Sequence, residues 1–583
     1  MKNRKLFLGI NLGIDPSVAI VESGKIIAFS EEERHIRIKH APNIYPKEAL
    51  KFCLNESNCS IKDISKFAVN WNLTGYNDGE IKKFYEGLRG KYNVDQATID
   101  WQDRNLKKRS WKEFKKFHKT ELTRIFGEIE LPEIIDFPHH YTHAYHSYIE
   151  SGFSEAIAIS IDGSGDQHCT TLWHCKNEKL INIKKINMPN SLGWLYSAIT
   201  EYLGYQAYDG EYKVMGLAAF GKPDKNIKKL LEKVCFTASD GIEYIIDPKY
   251  IHYGEHSFSS RFTDELVKLF GNLPRRSGEP ISDWHRNLAF ELQALLEKTV
   301  IRLVRWSIKE TGVSKICIGG GVGLNVKLNS KIYQMQEVSD VFAHPLCNDA
   351  GAVAGAALLA CHLETGIRAE RLTNLALGFK EEPENIESLL NTAKIKFRKS
   401  SNITEEVSGY LANGMIVAWF QGKMEAGPRA LGQRSILANP TKIIYRDKVN
   451  MIVKMREEWR PFCPSVLEEY SDDYFKNTTY APFMIIAFDA KEKLINDAPA
   501  VVHIDGTSRV QLVNKNTTPL YYKLIDSFYK KTNVPVLLNT SFNLKGEPVV
   551  CTARDALRTF WSSALDVLVI NDFIITKPQL ELD

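Results

Sequence analysis

The stretch AIAISIDGSGD, residues 156–166, is an apolar run that ends in an acidic turn with glycines, and it decides the fold. At the N-terminus, LFLGINLGID at 6–15 is a second apolar run that ends in an Asp. Each run leads into two short strand-like segments about a turn signal, VAIVESGKIIAFS at 18–30 and HCTTLWHCKNEKLINIKKI at 168–186. Two copies of strand, acidic turn and hairpin, with helical stretches after each, predict an internally duplicated α/β domain.

The rest of the chain continues this pattern. A helix with an apolar face is predicted from Trp284 to Glu310, and KICIGGGVGLNVKLNSKI at 315–332 has the order strand, glycine turn, helix. A small-residue helix is predicted at about 350–361, and MIVAWF at 415–420 opens a second α/β region. We therefore predict a first domain, a polar linker with a connecting helix, and a second domain at residues 1–366, 367–400 and 401–583.

The composition is that of an ordinary folded protein. The 583 residues carry 75 basic and 71 acidic side chains, so charge alone does not call for nucleic acid. Ten scattered cysteines form no CxxC pair, and no run of about 18 apolar residues is present, so we expect a cytoplasmic protein without a membrane span. The basic and aromatic segment 86–118 fits an RNA-binding arm or a solvated helical insertion, and its interleaved acids favour the insertion.

Histidines follow Pro138, a residue that suits the start of a helix. On a helix His139 and His143 share a face, and two imidazoles at that spacing can chelate one metal ion. Asp349, at a turn between a strand and a glycine-rich helix, is a candidate third ligand. Two His and one carboxylate suit Fe(II), with Zn(II) as an alternative. The competing interpretation is a capped helix with surface histidines.

Acids and glycines follow several predicted strands. Asp15, the run from Asp162 to Asp166 and Gly319–Gly321 all stand at such ends. Glycines there let backbone amides approach an anion, and a following helix N-terminus adds a positive dipole. The set predicts a nucleotide held at the ends of these strands.

A basic cluster lies between Lys423 and Arg460, where nine Lys or Arg face four acids. Its arginines stand among Gly, Pro and apolar residues, as in GPRALGQRS, which favours phosphate or carboxylate binding over a solvated surface. Arg509 and Ser541 follow later apolar strands. Structural ion pairs are the alternative interpretation.

Ten stretches carry a family resemblance, and they lie in order over nearly the whole chain. They are EEERHIRIKH, HHYTHA, SIDGSGD, EYKVMGLAAFG, GGGVGLN, NDAGAVAGAA, WFQGKMEAGPRALGQRSIL, VKMREEWRPFCPSVL, DGTSRVQ and LLNTSFNLKGEP. Together they resemble the O-carbamoyltransferases of the NodU/CmcH type.

The resemblance implies a fold and a two-step reaction. The first domain would be a duplicated actin-like ATPase domain of the ribonuclease H-like class, and the second would be similar to threonylcarbamoyl-adenylate synthase. Carbamoyl phosphate and ATP would give carbamoyl-adenylate, and a small hydroxylated acceptor would then take the carbamoyl group. The implied cofactors are ATP and one divalent metal, with iron expected and Mg(II) accompanying ATP left open. Neither nucleic acid nor a membrane is expected as a partner.

The resemblance also assigns residues by motif. It implies that the metal ligands are His139, His143 and Asp349 and that the catalytic residues are Asp15, Lys39, Lys454 and Arg429. It implies that the nucleotide and carbamoyl phosphate contact Gly320, Gly321, Asn325, Asp162, Arg429, Arg434, Lys454, Arg509 and Ser541.

One position departs from the family pattern. The family usually has His-Asp-x-Ser after the first strand, whereas Ile14 precedes Asp15 here. We expect a relocated base or metal-assisted activation of the acceptor. Two other functions compete with the carbamoyltransferase, namely a tRNA threonylcarbamoyl-modifying enzyme and a non-catalytic nucleotide-binding homologue. The near-neutral charge disfavours the first, and the presence of both anion-binding sets and the metal residues disfavours the second.

Overall fold

The computed structural model describes residues 4–258, 260–454, 460 and 462–577. These residues divide into two compact units. The first unit comprises the described residues up to Asn11, together with Ala19–Ile26 and Asn58–Arg371. The second comprises Leu12–Val18, Ile27–Ser57 and the described residues from Leu372 onward.

The elements before residue 372 are groups of strands and groups of helices that follow one another along the chain. The strands are β1 (Leu6–Asn11), β2 (Ser17–Glu22), β3 (Lys25–Glu31), β4 (Ile64–Val69), β5 (Glu133–Asp136), β6 (Glu155–Gly165), β7 (His168–Lys176), β8 (Lys179–Asn187), β9 (Cys235–Thr237), β10 (Tyr244–Ile246), β11 (Lys315–Gly319) and β12 (Asp340–Ala343). The helices are α1 (Glu32–Ile36), α2 (Lys47–Glu56), α3 (Leu73–Asn77), α4 (Glu80–Lys91), α5 (Gln96–Lys108), α6 (Trp111–Phe126), α7 (His139–Ile149), α8 (Leu192–Tyr202), α9 (Glu211–Leu217), α10 (Lys225–Val234), α11 (Asp264–Phe270), α12 (Asp283–Thr311), α13 (Val326–Tyr333) and α14 (Asp349–Thr365).

The elements after residue 372 form the second α/β region. The strands are β13 (Arg398–Lys399), β14 (Val417–Phe420), β15 (Arg434–Ala438), β16 (Cys463–Leu467), β17 (Ala487–Asp489), β18 (Thr507–Arg509), β19 (Gln511–Val513), β20 (Val536–Ser541), β21 (Val567–Ile570) and β22 (Phe573–Thr576). The helices are α15 (Pro383–Thr392), α16 (Ile403–Ala412), α17 (Ile443–Lys448), α18 (Ser471–Tyr474), α19 (Glu492–Asp497), α20 (Pro519–Thr532) and α21 (Ala553–Trp561).

Two five-stranded sheets have corresponding strand orders. The first is β3-β2-β1-β4-β5, and the second, read from its other edge, is β8-β7-β6-β11-β12. The second sheet joins the antiparallel meander β6-β7-β8 to the parallel pairs β6-β11 and β11-β12. In each sheet three consecutive strands are followed by two later ones, and the protein is of mixed α/β class. The repeated sequence pattern predicted the three consecutive strands of each sheet.

An eight-stranded sheet organises the second unit. Its order is β13-β22-β21-β14-β15-β20-β16-β19, and its central strands β14 and β15 are buried at every residue. The predicted opening strand at 415–420 is therefore central to this sheet. In the predicted linker, α15 is the connecting helix.

The structural division differs from the predicted boundary at residue 366, because residues 12–18 and 27–57 belong to the second unit. Hydrogen bonds connect residues of the segment 27–57 to later residues of the second unit. The Phe29 amide donates to the carbonyl of Leu377, and the Arg34 guanidinium donates to the carbonyl of Gly427 at 2.8 Å. The Arg37 guanidinium donates to a carbonyl in the segment before α21. Asp15 and Lys39, expected in the first domain, therefore lie in the second compact unit.

Other predicted elements are confirmed. The helix predicted at 284–310 is α12, the glycine turn after β11 leads into α13, and the small-residue helix is α14. The basic segment 86–118 lies within the helices α4, α5 and α6, as the helical insertion predicts. Among the described residues, no helix combines the length and apolarity that a membrane crossing needs.

Candidate active site

Four side chains of the first unit converge on one point. The Nε2 atoms of His139 and His143 are 3.1 Å apart. Asp349 Oδ1 lies 3.3 Å from the first nitrogen and 3.4 Å from the second. Asp162 Oδ2 lies 3.2 Å from His143 Nε2 and 3.9 Å from His139 Nε2. The structure thus brings the three predicted metal residues together and adds Asp162, which sequence reasoning had placed with the nucleotide; we call these four the His-Asp cluster.

Three elements present these side chains. Helix α7 begins at His139, directly after Pro138, so its two histidines project one turn apart from the same face. Asp162 lies where β6 leaves its regular pairing with β7, between Ile161 and Gly165. Asp349 is the first residue of α14. A Cβ at Gly165 would stand 2.1 Å from His139 Cδ2, so only glycine permits this approach of β6 to α7.

Neighbouring groups fix the orientation of His139. Its Nδ1 atom lies 2.9 Å from the carbonyl oxygen of Asn70, which can only accept, so Nδ1 carries the proton and Nε2 faces the cluster. The Asp166 carboxylate accepts the His139 backbone N–H at 2.9 Å, and the Trp71 ring stacks on the imidazole at 4.4 Å. A carboxylate near the first turn of a helix is also favoured by the helix dipole.

The electrostatics of the His-Asp cluster fit a divalent cation. Burial lowers the pKa of His139, but Asp349 and Asp162 outweigh it and raise that pKa to about 10. The pKa of His143 is raised in the same way, and the imidazoles hold the pKa of both carboxyls below their usual range against burial. Asp162 Oδ2 is buried and accepts no hydrogen bond. The two negative carboxylates that face the imidazole nitrogens therefore need compensating positive charge. Two protons on the imidazoles or one divalent ion would supply it.

The predicted nucleotide loop borders this cluster. Gly320 has a φ of +81°, and a Cβ there would meet the carbonyl oxygen of Ile161 at 2.3 Å. A Cβ on Gly321 would lie 3.2 Å from Asp162 Oδ1. The glycines therefore bring the end of β11 against the acidic end of β6. The Asn325 side chain caps α13, because its Oδ1 accepts from the Leu328 amide at 2.9 Å.

A buried lysine marks the predicted site of the second unit. Lys454 is 6% exposed, and its Nζ donates to the carbonyl oxygens of Ser541 at 2.6 Å and Asn543 at 2.8 Å. Its Nζ also lies 3.0 Å from Asn543 Oδ1, which accepts from Ser541 Oγ at 2.6 Å. The structure thus brings Lys454 and Ser541 together at the end of β20.

The three predicted arginines have different surroundings. Arg509 Nε donates to Cys463 Sγ at 2.9 Å, and Arg429 is half-buried. Arg434 is fully buried, and its terminal nitrogens donate to the carbonyls of Gln421 at 2.7 Å and Phe379 at 2.9 Å. The guanidinium of Arg434 therefore binds backbone carbonyls rather than forming the ion pair of the alternative interpretation. Arg456 of that cluster lies outside the described residues.

Two family models cover most of the chain. The model described as Carbamoyltransferase N-terminus matches residues 7–358, and the model described as Carbamoyltransferase C-terminus matches residues 408–577. The chain belongs to the carbamoyltransferase family.

Relatives of this carbamoyltransferase include rhizobial nodulation proteins. It is 33% identical to nodulation protein NolNO of Sinorhizobium fredii over 97% of this chain and 79% of that protein. It is 35% identical to nodulation protein NolO of Bradyrhizobium diazoefficiens over 76% of this chain and 79% of that protein. Among solved structures, full-length HypF in its phosphate- and nucleotide-bound form is 14% identical over 62% of this chain and 56% of that chain, with a TM-score of 0.33. At these values the likeness to HypF supports no conclusion about ligands.

The structure of this carbamoyltransferase also shows a group that sequence reasoning passed over. His40 Nδ1 lies 2.7 Å from Asp15 Oδ1, and the His40 amide donates to Glu33 Oε2 at 2.7 Å. Asp15 and His40 both have positive φ values, 53° and 61°. Such backbone strain is concentrated at functional sites. The run EEERHIRIKH contained both His40 and Glu33, but nothing in its spacing pointed to Asp15.

Proposed function

We propose that this carbamoyltransferase forms carbamoyl-adenylate from carbamoyl phosphate and ATP and then transfers the carbamoyl group to a hydroxyl of a small acceptor. The observation that carries the proposal is the position of Gly321 beside Asp162. A phosphate held by backbone amides of the loop at Gly320 and Gly321 would lie next to the His-Asp cluster. Family membership supports carbamoyl transfer itself.

The His-Asp cluster would hold one divalent ion through His139, His143, Asp349 and Asp162. When bound, such an ion supplies Lewis acidity toward a carbonyl or phosphoryl oxygen. The resemblance favours Fe(II), and the mixed nitrogen and oxygen donor set fits that ion. The Asn70 carbonyl keeps the His139 Nε2 lone pair directed into the cluster.

The first step would take place in the second unit. Carbamoyl phosphate, water and ATP give carbamoyl-adenylate, phosphate and pyrophosphate, so negative charge accumulates as the step proceeds. The buried ammonium of Lys454 and the guanidinium groups of Arg429 and Arg509 would offset that charge. We leave Arg434 out of this set because backbone carbonyls hold its guanidinium, and we assign it a structural role.

The second step would move the carbamoyl group. The acceptor oxygen forms a bond to the carbamoyl carbon, the bond from that carbon to the phosphate oxygen breaks, and AMP leaves with the electron pair. The acceptor proton must pass to a base. We place Asp15 and Lys39 next to the acceptor, with His40 orienting the Asp15 carboxylate. Asp15 and His40 together would then replace the histidine that the family usually has at the position of Ile14.

A release assay tests the function. Purified protein with ATP and carbamoyl phosphate should release pyrophosphate, and it should release AMP as an added hydroxylated acceptor gains one carbamoyl group by mass. Pyrophosphate release that does not require carbamoyl phosphate would contradict the proposal. Carbamoylation or related modification of tRNA, with no small acceptor modified, would move the protein to the other substrate class.

A further inference from the structure

A second group of titratable side chains lies farther along α7 in the first unit. His146, Glu150 and His344 are each at most 5% exposed. Glu150 Oε2 lies 3.0 Å from His146 Nε2 and 2.7 Å from His344 Nε2. We call these three residues the Glu150 clamp.

The hydrogen bonds of His344 show that it acts as a donor. Its Nδ1 accepts the backbone N–H of Leu346 at 3.0 Å, so that nitrogen carries no proton. Burial lowers the pKa of His344 to about 4, so the ring is neutral and its proton is on Nε2. Nε2 then donates to Glu150. A metal ion at this position would need that nitrogen deprotonated as well, so the geometry favours a hydrogen-bonded clamp over a second metal site.

The location of Glu150 is electrostatically unfavourable, which argues for a specific role. The residue caps the C-terminus of α7, where the helix dipole disfavours negative charge, and it is buried. Burial raises its pKa, but the neighbouring His146 and His344 imidazoles outweigh this and lower that pKa to about 2. The carboxylate is therefore ionised and needs both imidazoles, because removing either would leave a buried charge without a partner.

The clamp joins the two segments that carry the metal residues. His146 and Glu150 belong to the same helix as His139 and His143, whereas His344 follows β12 and precedes Asp349 by five residues. Next to the clamp α14 also approaches α7 closely, since a Cβ on Gly355 would meet His146 Cβ at 2.7 Å. We propose that Glu150 is a positioning residue that fixes the distance between the histidine pair and Asp349, and so sets the metal affinity of the His-Asp cluster. This inference rests on the proposed metal site.

Metal affinity measured by chelator competition provides the test. Glu150→Gln keeps the size of the side chain but places a neutral amide against the His344 donor and the neighbouring His146 imidazole. We expect it to retain one metal site and to bind Fe(II) and Zn(II) about 10- to 100-fold more weakly, the range typical for groups that orient metal ligands. The matched control is Glu291→Gln, another buried glutamate of the first unit, whose carboxylate accepts the Asp224 amide at 2.7 Å. Equal affinity in wild type and Glu150→Gln would overturn the inference.

A rescue pair covers the case in which Glu150→Gln does not fold. His344→Gln keeps a side-chain N–H donor near the position of Nε2, and His344→Ala removes it. We expect His344→Gln to bind metal more tightly than His344→Ala, whereas a cavity effect without a hydrogen bond would give no such order. A wild-type protein with two metal ions per chain, one of them lost in Glu150→Gln, would show that the three residues are ligands and would contradict the clamp.

A metal-free crystal structure separates this inference from the proposed function. If wild type binds no metal, the proposed metal site fails. The clamp is then decided by metal-free Glu150→Gln, in which the distance from His143 Nε2 to Asp349 Oδ1 should exceed the 3.4 Å of the wild-type protein. An unchanged distance would reject the positioning role.

Discussion

The Asp162 side chain lies between the His-Asp cluster and the glycine loop that follows β11. One carboxylate oxygen faces His143, and the other accepts its neighbour's amide at Gly163 and faces Gly321. The residue therefore belongs to the His-Asp cluster and also borders the glycine loop. The negative charge of Asp162 therefore acts on both the His-Asp cluster and the glycine loop.

We expect Asp162→Asn to lower metal affinity roughly tenfold or more, because an amide replaces an anionic donor facing two imidazoles. Metal content and chelator competition measure this. Asp247→Asn is the control, since that carboxylate accepts the amide of Lys249, two residues farther along the chain, at 2.9 Å. Full metal occupancy in Asp162→Asn would remove Asp162 from the ligand set.

At the residue scale, geometry that follows from local spacing could be predicted. The closeness of His139 and His143 could be predicted because four residues make one helical turn, and the structure starts the helix where Pro138 indicated. The surroundings of Asp162 and Arg434 could not be predicted, since their partners come from distant segments. An arginine among glycines has the same sequence signature whether it binds phosphate or backbone carbonyls.

At the scale of elements, the close contact between β6 and α7 is set by glycine. Gly165 lies against the His139 ring, and a methyl group has no room there. Gly165→Ala should therefore displace His139, lower metal occupancy and lower the melting temperature. These are measured by metal analysis and thermal unfolding.

The control for this change is Gly87→Ala. Gly87 is exposed in α4, and a Cβ there would meet nothing within 4 Å. Alanine should stabilise that helix by about 0.5–1 kcal/mol because glycine loses more conformational freedom on folding. If Gly165→Ala and Gly87→Ala had the same metal occupancy and melting temperature, the close contact between Gly165 and His139 would not affect the cluster.

Helix α6 predicts a pH effect. His118 is fully buried against Phe67 and Phe114, with ring centroids 4.9 and 4.4 Å away, and burial lowers its pKa to about 3. The unfolded chain therefore binds a proton below about pH 6.5 that the folded protein does not bind until about pH 3. This histidine makes stability fall as the pH falls through that window, by up to about 1.4 kcal/mol per pH unit.

His118→Leu should lose less stability than wild type between pH 6.5 and 4, measured by urea unfolding at several pH values. Other buried histidines lower the stability of both proteins in acid, so the difference between the two curves isolates His118. Parallel curves would mean that His118 is not the group that titrates.

At the scale of the whole molecule, Lys454 and the His-Asp cluster lie in different compact units, which predicts that Lys454 and His139 serve separable half-reactions. Lys454→Ala should abolish carbamoyl-adenylate formation, because the buried ammonium belongs to the proposed adenylate-forming site, yet it should still transfer from supplied carbamoyl-adenylate. His139→Ala should still form carbamoyl-adenylate but should not transfer the carbamoyl group to the acceptor. ATP–pyrophosphate exchange and carbamoyl transfer measure the steps separately, and Lys448→Ala, whose ammonium pairs with Asp566 at 3.1 Å, is the control. Failure of both variants in both steps would reject the division of labour.

The large-scale organisation could be predicted in part. The repeated strand, acidic turn and hairpin predicted the first three strands of each five-stranded sheet, because alternation and turn residues are local signals, but it did not predict the order of the whole sheets. The inclusion of residues 12–18 and 27–57 in the second unit could not be predicted. It depends on hydrogen bonds such as that from Arg34 to Gly427, which join residues nearly 400 positions apart.

The unequal exposure of the four cluster side chains has a kinetic consequence. His139, His143 and Asp162 are 0%, 1% and 16% exposed, whereas Asp349 is 40% exposed. An ion in the cluster would therefore exchange with solvent past Asp349, and the opening of that one carboxylate would limit the rate. Small chelators should strip the protein faster than bulky ones of equal affinity. The metal found after purification would then reflect which ion entered first as much as which one binds most tightly.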